Sequence, residues 1–200
     1  MANADPLSTP EAPPKLDDLR VEIDALDDAL LALFERRMGV AIKVARLKGD
    51  DGLLKLRPRR ESAIVARLAA KASIATPELI AHVWRELMAH SRHSQAEMTV
   101  QLYAPNAAVA LREAARERFG RVTPIVAAES PGAALAASAA GEVVALIELD
   151  GRAWELPEGV RIFGAVETAG GRAVMAGRMA KADIPDDELT AIAAVLGVGA

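Results

Sequence analysis

Two long cationic side chains, Arg37 and Lys48, stand where a run of apolar residues at three- and four-residue steps would continue. Arg37 follows Leu33 by four positions and Lys48 follows Val44 by four. If that run is a core face of a helix, neither side chain points straight to water, and a buried cation without a partner is costly. Farther on, Ser91 and Gln95 fall on the stripe begun by Ile80, Trp84, Leu87 and Met88, offering a hydroxyl and a carboxamide from one face. Cations and neutral hydrogen-bonding groups set into apolar faces describe a cavity for a small anion. Taken singly, each residue has a simpler account in snorkelling, dipole complementation or fraying of the stripe. The set carries the inference.

The elements that must position these residues are helical. From Leu16 to Lys48 the chain has no proline and one glycine, Gly39, while Leu19, Ile23, Leu26, Leu30, Leu33, Val40 and Val44 keep the helical period. Asp17 and Asp18 favour the N-terminal end of this helix, and Pro13-Pro14 precedes it. Arg37 and Lys48 are eleven residues apart. On a straight helix that is roughly 16 Å of rise, with the two within about 20° of one stripe. Arg20 lies about 25 Å before Arg37 and about 42 Å before Lys48 on the same axis, too far to share their ligand. If Arg20 belongs to the site, a second chain supplies it. So long an apolar stripe in a chain of 200 residues also favours pairing between subunits, and predicts a homodimer.

Gly49-Asp50-Asp51-Gly52 has turn chemistry, and Pro58 suits the first turn of a second helix running to about Lys71. Glu61 sits at the edge of its apolar face, with Ile64, Val65 and Leu68 and beside Arg60. Thr76-Pro77-Glu78 reads as an N-cap, a first-turn proline and a first-turn acid of a third helix. On that helix Arg85, Glu86 and Arg92 are placed on faces other than the stripe.

Together these residues make residues 16–98 resemble the all-helical chorismate mutases, the AroQ class. The resemblance rests on Leu19-Arg20 with Ile23-Asp24 and Leu26-Asp27, Arg36-Arg37, Lys48, Arg60-Glu61, and Ser91 with Gln95. It implies a three-helix, intertwined dimeric fold and a cofactor-free rearrangement of chorismate to prephenate. In that scheme Arg37, and Arg20 from the neighbouring chain, hold the two carboxylates. Lys48 and Gln95 hydrogen-bond the ether oxygen, Glu61 accepts the ring hydroxyl, Ser91 assists at a carboxylate or ring edge, and Arg60 supports Glu61. Arg57 stands where many members carry an acidic residue, which adds positive charge near the mouth of the site.

Past Glu97 the chain turns alanine-rich. Val100–Tyr103, Pro124–Ala128 and Val143–Leu149 read as strands, with helices at Ala107–Phe119 and Pro131–Ala140, a βαβαβ order. Val160–Val166 and Arg172–Met179 add two strands around Ala169-Gly170-Gly171, and Asp186–Leu196 a closing helix. Tyr103-Ala104-Pro105, Phe119-Gly120 and Gly141-Glu142 give this part a weak similarity to the first lobe of a prephenate dehydratase. The glycine-rich entry loop and the Thr-Arg-Phe triplet of that family are missing, and the residues past Glu97 are too few for its usual two lobes. The expected organisation is a flexible tail over residues 1–15, a mutase domain over 16–98, and an α/β accessory domain without catalysis over 99–200.

Composition bounds the alternatives. With 3% aromatic residues and a net charge of -4, a nucleic-acid partner is not expected. The 52% hydrophobic content suffices for two small cores. The first fifteen residues lack the apolar core of a signal peptide, no stretch suits a bilayer span, and the absence of cysteine permits a reducing cytoplasm, the expected location. The histidines, His82, His90 and His93, form no metal triad, and no phosphate-gripping glycine loop is seen. An isochorismate-pyruvate lyase shares the helical fold, and Arg60-Glu61 leans toward the mutase. A pathway-binding or regulatory protein is the rival from another class, and retention of both Lys48 and Gln95 tells against it.

Overall fold

A computed structural model describes residues 15–48, 52–152 and 154–196, and of Lys48 the backbone alone. The expected tail, apart from Lys15, and Gly49–Asp51 of the expected turn lie outside these residues. Gly52, which closes that turn, has φ of 65°, the left-handed region where glycine is unstrained.

Helix α1 spans Leu16–Lys48, 33 residues, with Asp17 and Asp18 in its first turn. The chain divides into two compact units, and the division falls inside α1, between Val40 and Ala41. None of the described α1 side chains is buried. Leu19, Ile23, Leu26, Leu30 and Leu33, the stripe read from the sequence, are 41–58% exposed. None of the described helices is long and apolar enough to cross a membrane.

In the unit that begins at Ala41, α2 (Pro58–Ala69) and α3 (Pro77–His93) form the helical part. Thr76 caps α3 as its sequence predicts, its Oγ1 accepting the Leu79 N–H at 3.2 Å. The rest is β1 (Thr99–Tyr103), α4 (Ala108–Phe119), β2 (Ile125–Ala127), α5 (Pro131–Ala140), β3 (Val143–Glu148), β4 (Val160–Thr168), β5 (Gly171–Arg178), a 3-10 turn at Lys181–Asp183, and α6 (Asp186–Leu196). The strands lie in the order β2-β1-β3-β5-β4. β1 is parallel to β2 and β3, as the βαβαβ order requires, and β5 is antiparallel to both β3 and β4.

Helices cover both sheet faces, which is why β3 reads as an unbroken apolar run. On one face Val100, Leu102, Val144, Leu146 and Met175 pack with Leu111, Ala115 and Phe119 of α4. On the other Ala145, Ile147, Val174 and Ala176 pack with Ala134 and Leu135 of α5 and Val195 of α6.

The connection from α1 to α2 enters the first of these cores. Leu54 and Leu56 are both 0% exposed and belong to the α4 side of the sheet. The Leu54 N–H bonds the Arg178 carbonyl at 2.8 Å and the Lys55 N–H bonds Glu142 Oε2 at 2.9 Å. Gly177 leaves the room: a Cβ there would run into Leu54 Cδ1. Composition allows separate helical and sheet cores, but this connection ties α2 and α3 to the sheet.

A second tie concerns α4. Ala107, its N-cap, has no side chain able to cap. Glu148, at the end of β3 and 4% exposed, holds the approach to the helix instead. Its Oε2 accepts the N–H groups of Asn106 and Ala107 at 3.0 and 3.1 Å, and its Oε1 accepts Asn106 Nδ2 at 3.2 Å. A carboxylate is the group the positive end of a helix favours.

Candidate active site

Glu61 is the most enclosed of the sequence-predicted site residues on α2. It sits in the first turn, where its N–H bonds the Arg57 carbonyl at 3.0 Å. Its side chain is 12% exposed and meets two guanidinium groups. Arg92 Nη1 of α3 donates to Oε1 at 2.6 Å, and Arg118 Nη1 of α4 donates to Oε2 at 3.1 Å. Arg92 Nη2 donates in turn to the Phe119 carbonyl at 3.1 Å. Burial pushes the Arg92 guanidinium below its ordinary value, while Glu61 pulls it back up. Arginine stays charged through such shifts, so this is a set of charge-assisted bonds around one carboxylate.

Arg92, placed by its sequence position on a face other than the stripe, is buried, as is its neighbour Ser91. The signal was present, because Arg92 follows Met88 by four, the same relation that singles out Arg37 after Leu33. Arg118 has no comparable local signal. It lies 57 residues from Glu61 along the chain.

Ser91 and Gln95 are brought together. Ser91 is buried and its Oγ donates to the Leu87 carbonyl at 2.8 Å, one helical turn back. Gln95 is exposed, and its Nε2 donates to the Ser91 carbonyl at 2.7 Å. Arg60 is exposed on α2. On α1, Arg37 is half-buried, with burial lowering its guanidinium from the ordinary value. Arg20 is exposed and pairs with Asp17 at 3.1 Å, one turn back. Lys48 closes α1.

Arg57, expected to add positive charge near the site mouth, is held in the loop before α2. Its Nη1 donates to the Leu54 and Leu56 carbonyls and its Nε lies 3.4 Å from Asp183. Its charge is met there, in the loop that enters the sheet core. Arg59 makes a parallel tie, donating to the Ala182 and Ile184 carbonyls at 2.9 and 2.7 Å and to Asp186 at 2.8 Å. A cleft of about 530 Å³ between α3 and α4, lined in part by Arg85, Glu86, Glu113 and Arg116, includes none of the sequence-predicted residues.

Residues 19–96 match the family model of chorismate mutase type II. The T-protein of Haemophilus influenzae is 38% identical over 78 residues, which is 38% of this chain and 21% of that protein. The 4-amino-4-deoxychorismate mutase of Streptomyces venezuelae is 37% identical over 59 residues, 30% of this chain and 57% of that protein. The aligned parts thus span about a fifth and somewhat over half of these relatives. No solved structure matches the chain significantly. The matched segment begins in α1, runs through α2 and α3 and ends just past α3, so the N-terminal helical region is the part of the chain that is similar to chorismate mutase type II, and the AroQ class fits it.

Proposed function

We propose that the protein rearranges chorismate to prephenate as a homodimer. The observation that carries this reading is the family match over residues 19–96, the segment bearing Arg20, Arg37, Lys48, Arg60, Glu61, Ser91 and Gln95. The reaction is an exchange of bonds within one molecule. Its demands are a compact, diaxial substrate shape and stabilisation of negative charge growing on the ether oxygen. Arg37 and a second copy's Arg20 grip the two carboxylates. Lys48 and Gln95 donate to the ether oxygen, Glu61 accepts the ring hydroxyl, Ser91 assists at a carboxylate or ring edge, and Arg60 supports the anionic field. A carboxylate already braced by Arg92 and Arg118 suits the acceptor role, because each oxygen keeps further acceptor capacity.

The dimer is supported by α1. An apolar stripe exposed from Leu19 to Leu33 is far more apolar surface than a helix ordinarily leaves to water. A second α1 is an occupant of matching length and pattern.

Removing a donor aimed at developing charge costs about 3–4 kcal/mol, so Lys48→Ala is expected to lower turnover by roughly two to three orders of magnitude. Chorismate loss followed by ultraviolet absorbance tests this, and wild-type rates in a dimeric Lys48→Ala protein refute the assignment. Mixing Arg20→Ala with Lys48→Ala chains is expected to restore activity through mixed dimers holding one intact site. Failure of that rescue with verified subunit exchange refutes the shared site.

A second reading follows from the Streptomyces venezuelae relative, whose name gives 4-amino-4-deoxychorismate as its substrate. An amino group in place of the ring hydroxyl also donates to Glu61. Comparing kcat/KM on the two compounds decides between them.

A further inference from the structure

We propose that Arg118, carried by the sheet-containing region, is a positioning residue for Glu61. The inference rests on the mutase reading of Glu61 and gives the α/β part a task in that reaction. Three features at the C-terminal end of α4 converge on this one carboxylate. Arg118 Nη1 donates to Oε2 directly, at 3.1 Å. The next residue, Phe119, offers its carbonyl to Arg92 Nη2, so the same turn also fixes the guanidinium that holds Oε1. Gly120 then ends the helix with φ of 85°, so close to α3 that a Cβ would collide with that of Ala89.

The turn itself is rigidly seated. Phe119 is 1% exposed in the core under the sheet, the Arg118 guanidinium lies 5.5 Å from its ring centroid, and Thr123 Oγ1 donates to its carbonyl at 2.8 Å. The Arg118 side chain is 19% exposed, too enclosed for a surface ion pair of little consequence. A glutamate has three side-chain torsions, and an acceptor for one substrate donor must hold all three. Two arginines from different helices, one on each oxygen, do this, and leave free the lone pairs pointing away from them. Position, more than binding strength, is what Arg118 supplies.

The test uses the full chain and compares Arg118→Gln, Arg118→Lys, Glu61→Gln and the Arg118→Gln/Glu61→Gln pair, with Arg116→Gln as a neighbouring control. A misplaced group near the reacting atoms costs on the order of ten- to hundredfold, and that loss is expected in kcat for Arg118→Gln, with KM little changed. Arg118→Lys is expected to recover part of it, and Arg118→Gln to have no further effect once Glu61 is glutamine. Melting temperatures of the same proteins separate position from stability. Wild-type kcat in Arg118→Gln, losses that multiply in the double variant, or losses that follow melting temperature alone overturn the proposal. If Arg118→Gln does not fold, Arg118→Lys alone and on the Glu61→Gln background gives the same comparison. A wild-type protein inactive on both chorismate and its 4-amino analogue instead removes the mutase reading, and the proposal falls with it.

Discussion

The 2.6 Å contact between Arg92 and Glu61 is shielded from solvent, so it is a costly one to break. Arg92→Met leaves Glu61 with Arg118 alone, and is expected to lower stability by about 2–3 kcal/mol in urea unfolding. Glu188 on α6 runs the other way. Burial raises its carboxyl above the ordinary value, partly opposed by Arg118. The folded chain therefore binds this proton more readily than the unfolded chain does. The resulting stability is complete below the ordinary carboxylate pKa and is lost as pH rises through the raised value. Glu188→Gln is expected to raise the melting temperature at neutral pH and to change it little in acid. An unchanged difference across that range would show that the group does not titrate as its burial requires. At this scale a polar residue that interrupts an apolar period carried a signal: the structure buries Ser91 and Arg92 at such places, and half-buries Arg37. The sequence was silent on Arg118, because an ion pair across 57 residues leaves no local pattern.

Elements whose ends are set by local chemistry were legible. Thr76 and Pro77 begin α3, and the proline-free helical period of α1 gives its full 33 residues. The parallel order of β1, β2 and β3 followed from the intervening helices. The segment before Pro58 was not legible, since Leu54 and Leu56 belong to no helical period and their core is distant in sequence, Leu54 meeting β5 more than a hundred residues on. Two expectations belong to this scale. Leu26→Glu with Leu30→Glu places charges on the exposed α1 stripe, and is expected to give a folded monomer in sedimentation with no chorismate turnover. A dimer that survives both charges would show that α1 is not the interface. Gly120→Ala adds left-handed strain of about 1–3 kcal/mol, besides the clash with Ala89. It is expected to cut the melting temperature and to loosen Arg118 and Arg92 together.

At the scale of the unit beginning at Ala41, the connection before α2 is built into the core on the α4 face of the sheet. Arg57 and Arg59 on one side, and Leu54 and Leu56 on the other, fasten α2 to the sheet and to the turn before α6. A chain ended after Glu97 loses the cover of both leucines and Arg118, one of the two partners of Glu61. It is expected to aggregate or to lose ordered α2–α3 structure by circular dichroism, where a freely separable helical part would stay soluble and fully active. Sequence composition could not show this, because it counts apolar residues without saying which ones meet.

Glu148 carries one more consequence. In open α/β sheets the place that ordinarily receives a guest molecule is the gap beyond the carboxyl ends of two strands whose connections run in opposite directions. Here that gap lies between β1 and β3, and the chain has put its own carboxylate at the end of β3, against the two amides that lead into α4. The sheet is thus furnished with an internal tenant. Glu148→Ala would evict it, and the emptied amides should then take up phosphate or sulfate from solution, seen as an anion-dependent gain in thermal stability that the native protein does not show.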